Sequence, residues 1–183
     1  MGSTLELLGS VQGTGSSATL QFTGIPTDTQ SFVLRGLVSE SSSGAGILAL
    51  RFNSDSGSRY AGRQYFYASS GGSMSSGAYN TVYTYLRLID EIPGTSENVG
   101  YGRAQFESEI YSLPKQAESP GSPAAFTRWG TEYGDRLGWT AGAYAYTEAA
   151  PTATDVTTME ITLGSGGNFP TTTYMSLYKR PAS

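Results

Sequence analysis

Side chains two residues apart in an extended chain share one face of a sheet. Two neighbouring segments follow that period closely enough to limit what this chain can become. In residues 31–39, Phe32, Leu34 and Val38 fall on one parity, and in residues 47–53, Leu48, Leu50 and Phe52 do. Arg35 and Arg51 sit on the opposite faces. Each segment therefore offers one apolar face and one wetter face, as expected of an antiparallel pair with one side in a core. Ile25-Pro26 ahead of the pair forces an extended bend, and Asn53-Ser54-Asp55-Ser56-Gly57 behind it is turn chemistry. The whole stretch, residues 22–60, reads as scaffold.

The alternation recurs along the chain. Residues 103–113 set Ala104, Phe106 and Ile110 against Gln105, Glu107 and Glu109, and residues 155–163 place Met159, Ile161 and Leu163 on one face. Residues 81–89 alternate with apolar side chains on both parities, which predicts one strand half buried on each side. Short candidates at 4–11 and 18–22 flank Gln12-Gly13-Thr14-Gly15, read as a hairpin turn, so residues 1–20 are expected to form an arm or an edge hairpin. Segments 59–68, 124–133, 136–147 and 172–179 complete roughly ten strand-like runs, the pattern of a sandwich or barrel. Between them lie a Ser/Gly loop at 69–77 and Pro-rich loops at 114–123 and 149–154. Glycine, at 24 of 183 residues, is about twice its usual share of roughly 7%, which suits many turns. The expected fold is all-β: one domain over residues 1–183, an antiparallel β-sandwich of jelly-roll type with long Ser/Gly and Pro-rich loops.

Two absences narrow the chemistry. The sequence has no cysteine and no histidine, so it holds no disulfide, no thiol nucleophile, no Ser-His-Asp triad and no histidine or thiolate zinc site. Net charge is −4 with a sequence pI near 4.8, and no basic stripe offers a phosphate backbone a hold. The opening MGSTLELLGS lacks the basic and long apolar regions of a secretion signal, and no apolar run approaches the roughly 20 residues needed to cross a bilayer. The reading is a soluble protein made in a cytoplasm, with no nucleic-acid partner, no membrane partner and no cofactor.

Three features invite sharper readings. Asn53-x-Asp55-x-Gly57 spaces its oxygens as calcium loops do, but the twelfth position of such a loop would be Gln64 instead of an acid, which favours a side-chain-stabilised turn. Glu107 and Glu109 share one strand face about 7 Å apart, within the range of glycosidase carboxylates, yet neighbouring acids on an outward face are ordinarily just solvated. The aromatics, among them Tyr79, Tyr83, Tyr85, Trp129, Tyr133 and Trp139, are numerous enough for some to stack on sugars or anchor a protein interface. Tyr60, Tyr65, Tyr67 and Met74 are the expected interface residues, and no catalytic, cofactor-binding or metal-binding residues are expected.

The segments QFTGIPTDTQSFVLRGLVSES, LRFNSDSGSRY and ITLGSGGNFPTTTYMSLYKRP resemble a group of small virion proteins of tailed bacteriophages, whose pattern runs FTSIP…RFN.D.G..Y…SLY. The residues that carry the likeness here include Phe22, Ile25, Pro26, Arg35, Arg51, Phe52, Asn53, Asp55, Gly57, Tyr60, Ser176, Leu177 and Tyr178. Gly36-Leu37 and Thr171-Thr172 depart from the pattern, and about residues 68–125 hardly match it. The resemblance implies a non-enzymatic structural protein of the virion, assembled in the host cytoplasm. Within that class it implies a capsid decoration or cement protein clamped onto a major capsid protein as a homo-oligomer, with a trimer suiting capsid three-fold sites. A tail or fibre-associated carbohydrate-binding module is the alternative it leaves open.

Overall fold

The computed structural model of the chain describes residues 4–27, 29, 31–39, 46–57, 60–68, 73–92, 103–111, 123–131, 136–144, 156–164 and 166–180, with the backbone alone for 66–68, 73–82, 90–91, 136 and 144. Twelve strands account for most of them and every pairing is antiparallel. In chain order they are β1 (Glu6–Gln12), β2 (Thr19–Thr23), β3 (Ser31–Ser39), β4 (Gly46–Phe52), β5 (Tyr60–Ala68) and β6 (Ser73–Tyr83), followed by β7 (Leu86–Ile92), β8 (Arg103–Tyr111), β9 (Ala124–Thr131), β10 (Arg136–Tyr144), β11 (Thr158–Leu163) and β12 (Tyr174–Lys179). An eight-stranded sheet has the order β1-β12-β3-β8-β9-β10-β5-β6, and a four-stranded sheet the order β2-β11-β4-β7. The all-β antiparallel sandwich is thus as the alternation predicts. A jelly roll divides eight strands into two sheets; the eight-and-four division here does not by itself make that form.

The core is the meeting of the two inner faces. The larger sheet contributes Phe32, Leu34 and Val38 of β3, Phe106 and Ile110 of β8, Trp129 of β9 and Met175 and Leu177 of β12. The smaller sheet contributes Leu20 and Phe22 of β2, Leu48, Leu50 and Phe52 of β4, Leu86 and Leu88 of β7 and Met159 and Ile161 of β11. In each strand these residues keep one parity, so burying them commits the alternate residues to the outside. Two polar side chains tie the layers together across this apolar interior. Thr140 of β10 donates to the Leu88 carbonyl of β7 at 2.6 Å, and the Tyr60 hydroxyl of β5 accepts from the Phe52 amide of β4 at 3.1 Å.

Several expectations change here. β3 and β4 are not partners: they belong to opposite sheets and face each other across the core, since an apolar face is satisfied as well by a facing layer as by a hydrogen-bonded neighbour. β1 and β2 do not form a hairpin either. β1 pairs with β12 at one edge of the larger sheet, β2 pairs with β11 at one edge of the smaller, and Gly13 carries the chain between them. Gly13 donates to the Thr173 carbonyl at 2.9 Å and passes so close to the Phe169–Pro170 backbone that a Cβ would collide with both carbonyl oxygens. The segment 81–89 is two strands broken at Thr84–Tyr85, and the second half of the expected loop 69–77 is the start of β6. The Pro-rich loops at 114–123 and 149–154 lie almost wholly outside the described residues.

In the turn after β4 the oxygens of the Asn53-x-Asp55 motif are hydrogen-bond acceptors. Asn53 and Ser54 adopt φ of 52° and 55°, a left-handed conformation that Asn tolerates better than most residues. The Asn53 Oδ1 accepts from the Thr157 and Thr158 amides at 2.8 and 3.1 Å, and the Asp55 Oδ1 accepts from the Gly57 amide at 2.8 Å. These oxygens hold the turn and fasten it to the lead-in of β11, which is the turn reading of the motif.

Candidate functional site

The outer faces of the two sheets differ in kind. On the smaller sheet, Thr19, Gln21 and Thr23 of β2 lie opposite Thr162, Glu160 and Thr158 of β11. There Arg51 reaches Glu160 at 3.0 Å and the Thr84 carbonyl at 2.9 Å. On the larger sheet the outward parity carries the large exposed apolar side chains: Leu7 on β1, Tyr174 on β12, Tyr111 on β8, Phe126 on β9, and Leu137 and Trp139 on β10. These are all six large apolar residues that are exposed among the described ones. They span the six neighbouring strands β1-β12-β3-β8-β9-β10, a width of about 24 Å at the usual interstrand spacing of ~4.8 Å.

Through the middle of this face runs one cross-strand row. Ser10, Ser176, Arg35, Glu107, Arg128, Trp139 and Tyr65 lie opposite one another in successive strands. Each contact in the row has its own chemistry. The Ser10 and Ser176 hydroxyls meet at 2.7 Å, the Arg35 Nε donates to Glu107 at 2.5 Å, and the Trp139 and Tyr65 rings stack with centroids 5.6 Å apart. Aromatic rings also flank the cations: the Arg35 guanidinium lies 5.9 Å from the Tyr178 ring centre and that of Arg128 5.9 Å from Phe126. Such contacts at exposed sites contribute about 0.5–1 kcal/mol each and fix the direction in which the guanidinium points.

Between the row and the next one lies a trough of about 1130 Å³, lined among others by Arg35, Arg103, Gln105, Glu107, Arg128, Leu137, Tyr174 and Tyr178. Beside it, Glu109 accepts from the Tyr111 hydroxyl at 2.5 Å and from Arg180 at 3.4 Å. The Tyr111 hydrogen bond holds the Glu109 carboxyl below its usual value; partial burial opposes this, and the Arg180 and Arg128 charges reinforce it. The same bond, donated by the neutral phenol, pushes Tyr111 upward. A glycosidase acid needs its pKa raised so that it carries a proton at working pH. Glu109 is moved the other way, and Glu107 serves as an ion-pair partner of Arg35.

The four expected interface residues fare differently. Tyr60 is fully buried: its ring stacks against Phe52 at 6.4 Å and its hydroxyl is bonded inside the fold, so it is not a surface anchor. Its parity in β5 turns it inward with Gln64, whereas Tyr65, on the other parity, is half-buried on the outer face and stacked on Trp139. Tyr67 and Met74 lie opposite one another in the β5–β6 pairing, with side chains outside the described ones. The centre of the face lies elsewhere, in Arg35, Glu107, Arg128, Leu137, Trp139, Tyr174 and Tyr178. The outward parities of Arg35 and Glu107 were readable in the sequence; their pairing across β3 and β8 was not.

Fold and face together define an all-β antiparallel sandwich with one sheet surface that exposes arginines, aromatic rings and leucines. No family model and no curated protein matches the sequence. Among solved structures the chain is similar to the infectious bursal disease virus Gx strain structure, at 14% identity over 96% of this chain and 39% of that one, with a TM-score of 0.13. It is also similar to the infectious bursal disease virus VP2 subviral particle, at 15% identity over 99% and 40%, with a TM-score of 0.12. The chain spans about two fifths of the length of those chains. A superposition this loose carries no argument about this protein.

Proposed function

We propose that this chain is a non-enzymatic structural protein of a virion, a capsid decoration or cement protein that binds the outer surface of a tailed-phage head and stabilises it. The observation that carries the reading is the gathering of every exposed large apolar side chain of the described residues onto one sheet face, interleaved with arginines. Aromatic residues and Arg are the types enriched at protein interfaces. Six strands about 24 Å wide and about 23 Å long give a face of roughly 550 Å², approaching the ~800 Å² per partner of a standard interface. The resemblance of the FTGIP, RFNSDSG and SLY segments to phage virion proteins supports the same assignment. The partners are then the major capsid protein and further copies of this chain, a trimer matching capsid three-fold positions, and many weak attachments add up by avidity.

The test is to strip the protein from purified heads and add it back. Many copies per head, and heads that withstand heat better with the protein than without it, are the expected results; a few copies confined to the tail would overturn the assignment. The Tyr65–Trp139 stack favours a second reading, a tail or fibre module that binds carbohydrate, because exposed rings stack on sugars. That reading requires retention on host glycan that is lost in Trp139→Ala.

A further inference from the structure

The trough on the larger sheet has an electrical character at odds with the chain around it. Among the described residues Arg35, Arg103 and Arg128 line it, with Glu107 the one carboxylate of the lining, in a chain of net charge −4. Two of the three guanidinium groups keep donors to offer. Arg128 is exposed and lies over the Phe126 ring, and it makes no salt bridge among the described residues. Arg35 gives its Nε–H to Glu107, and guanidinium carries four more N–H donors in a planar fork that matches a carboxylate. The Arg35–Glu107 pair has side-chain exposures of 49% and 37%; pairs this open are worth little on their own, so a second carboxylate can share the arginine at small cost.

We propose that this trough receives an acidic segment of a partner protein, with Asp or Glu carboxylates meeting the outward-facing N–H donors of Arg35 and Arg128 to either side of Glu107 and apolar side chains laid against Leu137 and Tyr174. The inference rests on the adhesion reading above and names the chemistry of the surface that the face adheres to. Charge complementarity selects the carboxylates. The lining selects protein over polysaccharide: Leu137 is 65% exposed, and an aliphatic side chain offers nothing to sugar hydroxyls but matches apolar residues.

The experiment titrates the full-length chain with poly-L-glutamate at low salt, following heat or Trp fluorescence, with polygalacturonate and poly-L-lysine as parallel probes. Binding is expected for poly-L-glutamate, weakened about tenfold by Arg128→Ala and lost in Arg35→Ala/Arg128→Ala, with Arg128→Gln reproducing the single variant. Thr19→Glu on the opposite sheet changes the net charge by the same one unit as Arg128→Ala and should leave affinity within about twofold. Poly-L-lysine binding as tightly as poly-L-glutamate, or Thr19→Glu matching Arg128→Ala, overturns the site. Tighter binding of polygalacturonate overturns the commitment to protein. Stripped heads keep the two proposals apart. If they bind wild type and Arg128→Ala equally, this inference fails and the adhesion reading stands; Arg128-dependent binding of poly-L-glutamate without binding to heads gives the reverse.

Discussion

Replacing Tyr60 by Phe removes one oxygen from the centre of the molecule and leaves the ring. β4 extends further than the strand beside it: the last β4–β7 pair is Leu50 with Leu86, so the Phe52 amide on that side has no strand partner. The Tyr60 hydroxyl takes its place, accepting from Phe52 N and donating to the Asp55 carbonyl, both at 3.1 Å. In Tyr60→Phe the Asp55 carbonyl, in a half-buried turn, can turn to water. The Phe52 amide cannot. An orphaned buried donor costs about 1–3 kcal/mol, against the roughly 1 kcal/mol net of an ordinary hydrogen bond; with no route to water for this amide the upper part of that range applies, a destabilisation of about 2–3 kcal/mol. That is a large share of a typical total of about 5–15 kcal/mol.

Urea unfolding should show it as a fall of about 1 M in midpoint at unchanged slope, taking about 2 kcal/mol per M. A calorimetric scan should show a Tm lower by about 4–12 °C. Attachment to heads, measured well below the new Tm, should be unaltered, because the ring is inside the fold. A variant as stable as wild type within about 0.5 kcal/mol but impaired in attachment would refute the reasoning, since it would put Tyr60 on the surface as the sequence alone had led us to expect.

Three more outcomes follow from particular contacts. Gly138→Ala should destabilise by about 2–3 kcal/mol through overpacking, because its Cβ would strike the Trp129 indole, with Cε2 at 2.5 Å, and the Tyr65 carbonyl at 2.9 Å; chemical denaturation and the near-ultraviolet signal of Trp129 report it. Asn53→Ala should cost about 1–3 kcal/mol, losing the acceptor for the Thr157 and Thr158 amides and placing Ala at a φ of 52°, while Asn53→Gly should recover about 1 kcal/mol of it by relieving the backbone alone. The Glu109–Tyr111 bond adds a pH dependence. Glu109 titrates lower folded than its usual 4.5, so its share of stability is present above that value and lost as pH falls through the folded pKa. Tyr111 titrates above its usual 10.0, so its share is present below that value and lost as pH rises through the folded pKa. The stability difference between wild type and Tyr111→Phe should therefore be flat through neutral pH and shrink at both ends; a difference constant over the whole range would show that the bond does not form.

The parts of the fold that the sequence made legible are those decided within one strand. Alternation in β3, β4, β8 and β11 told which side chains point into the core; burial follows it strictly in β8 and β11, whereas in β3 and β4 Val33, Ser39 and Ala49 of the other parity are buried as well. Alternation cannot tell which neighbour a strand takes, because the choice is made between segments far apart: Ser10 meets Ser176 across 166 residues. Hence β3 and β4, adjacent in sequence and alike in pattern, could be read as partners when they are opposite walls of the core. The break at Thr84–Tyr85 was hidden for a related reason. Apolar residues on both parities of 81–89 look like one strand buried on both faces, whereas the chain leaves the larger sheet after Tyr83 and enters the smaller at Leu86. Of the candidate face, the outward parities of Arg35, Glu107 and Glu109 were visible, but the row that joins Arg35 to Glu107 and Arg128 exists only once the registers of β3, β8 and β9 are set.

The contrast between the two outer faces also bears on how the molecule would sit on a particle. The smaller sheet turns Thr19, Gln21 and Thr23 outward beside the closed Arg51–Glu160 pair, a surface already satisfied by water and by itself. The larger sheet leaves Leu137, Tyr174 and Trp139 partly uncovered and Arg128 without a salt bridge among the described residues. The proposed attachment role is served by this division: desolvating rings and aliphatic chains favours attachment, whereas burying the threonine face would require new partners for hydroxyls that water already serves. Attachment by the larger sheet would then leave the smaller sheet toward solvent, with both termini of the described chain beside the contact, since β1 and β12 are neighbours at one edge of the larger sheet. A bulky tag on either end should therefore weaken attachment by obstruction, and an equal tag between β11 and β12 at Gly166, where φ is 79° and a side chain would meet nothing within 4 Å, should not. Tagged ends that attach like wild type while a tag at Gly166 abolishes attachment would reverse the assignment of the two faces.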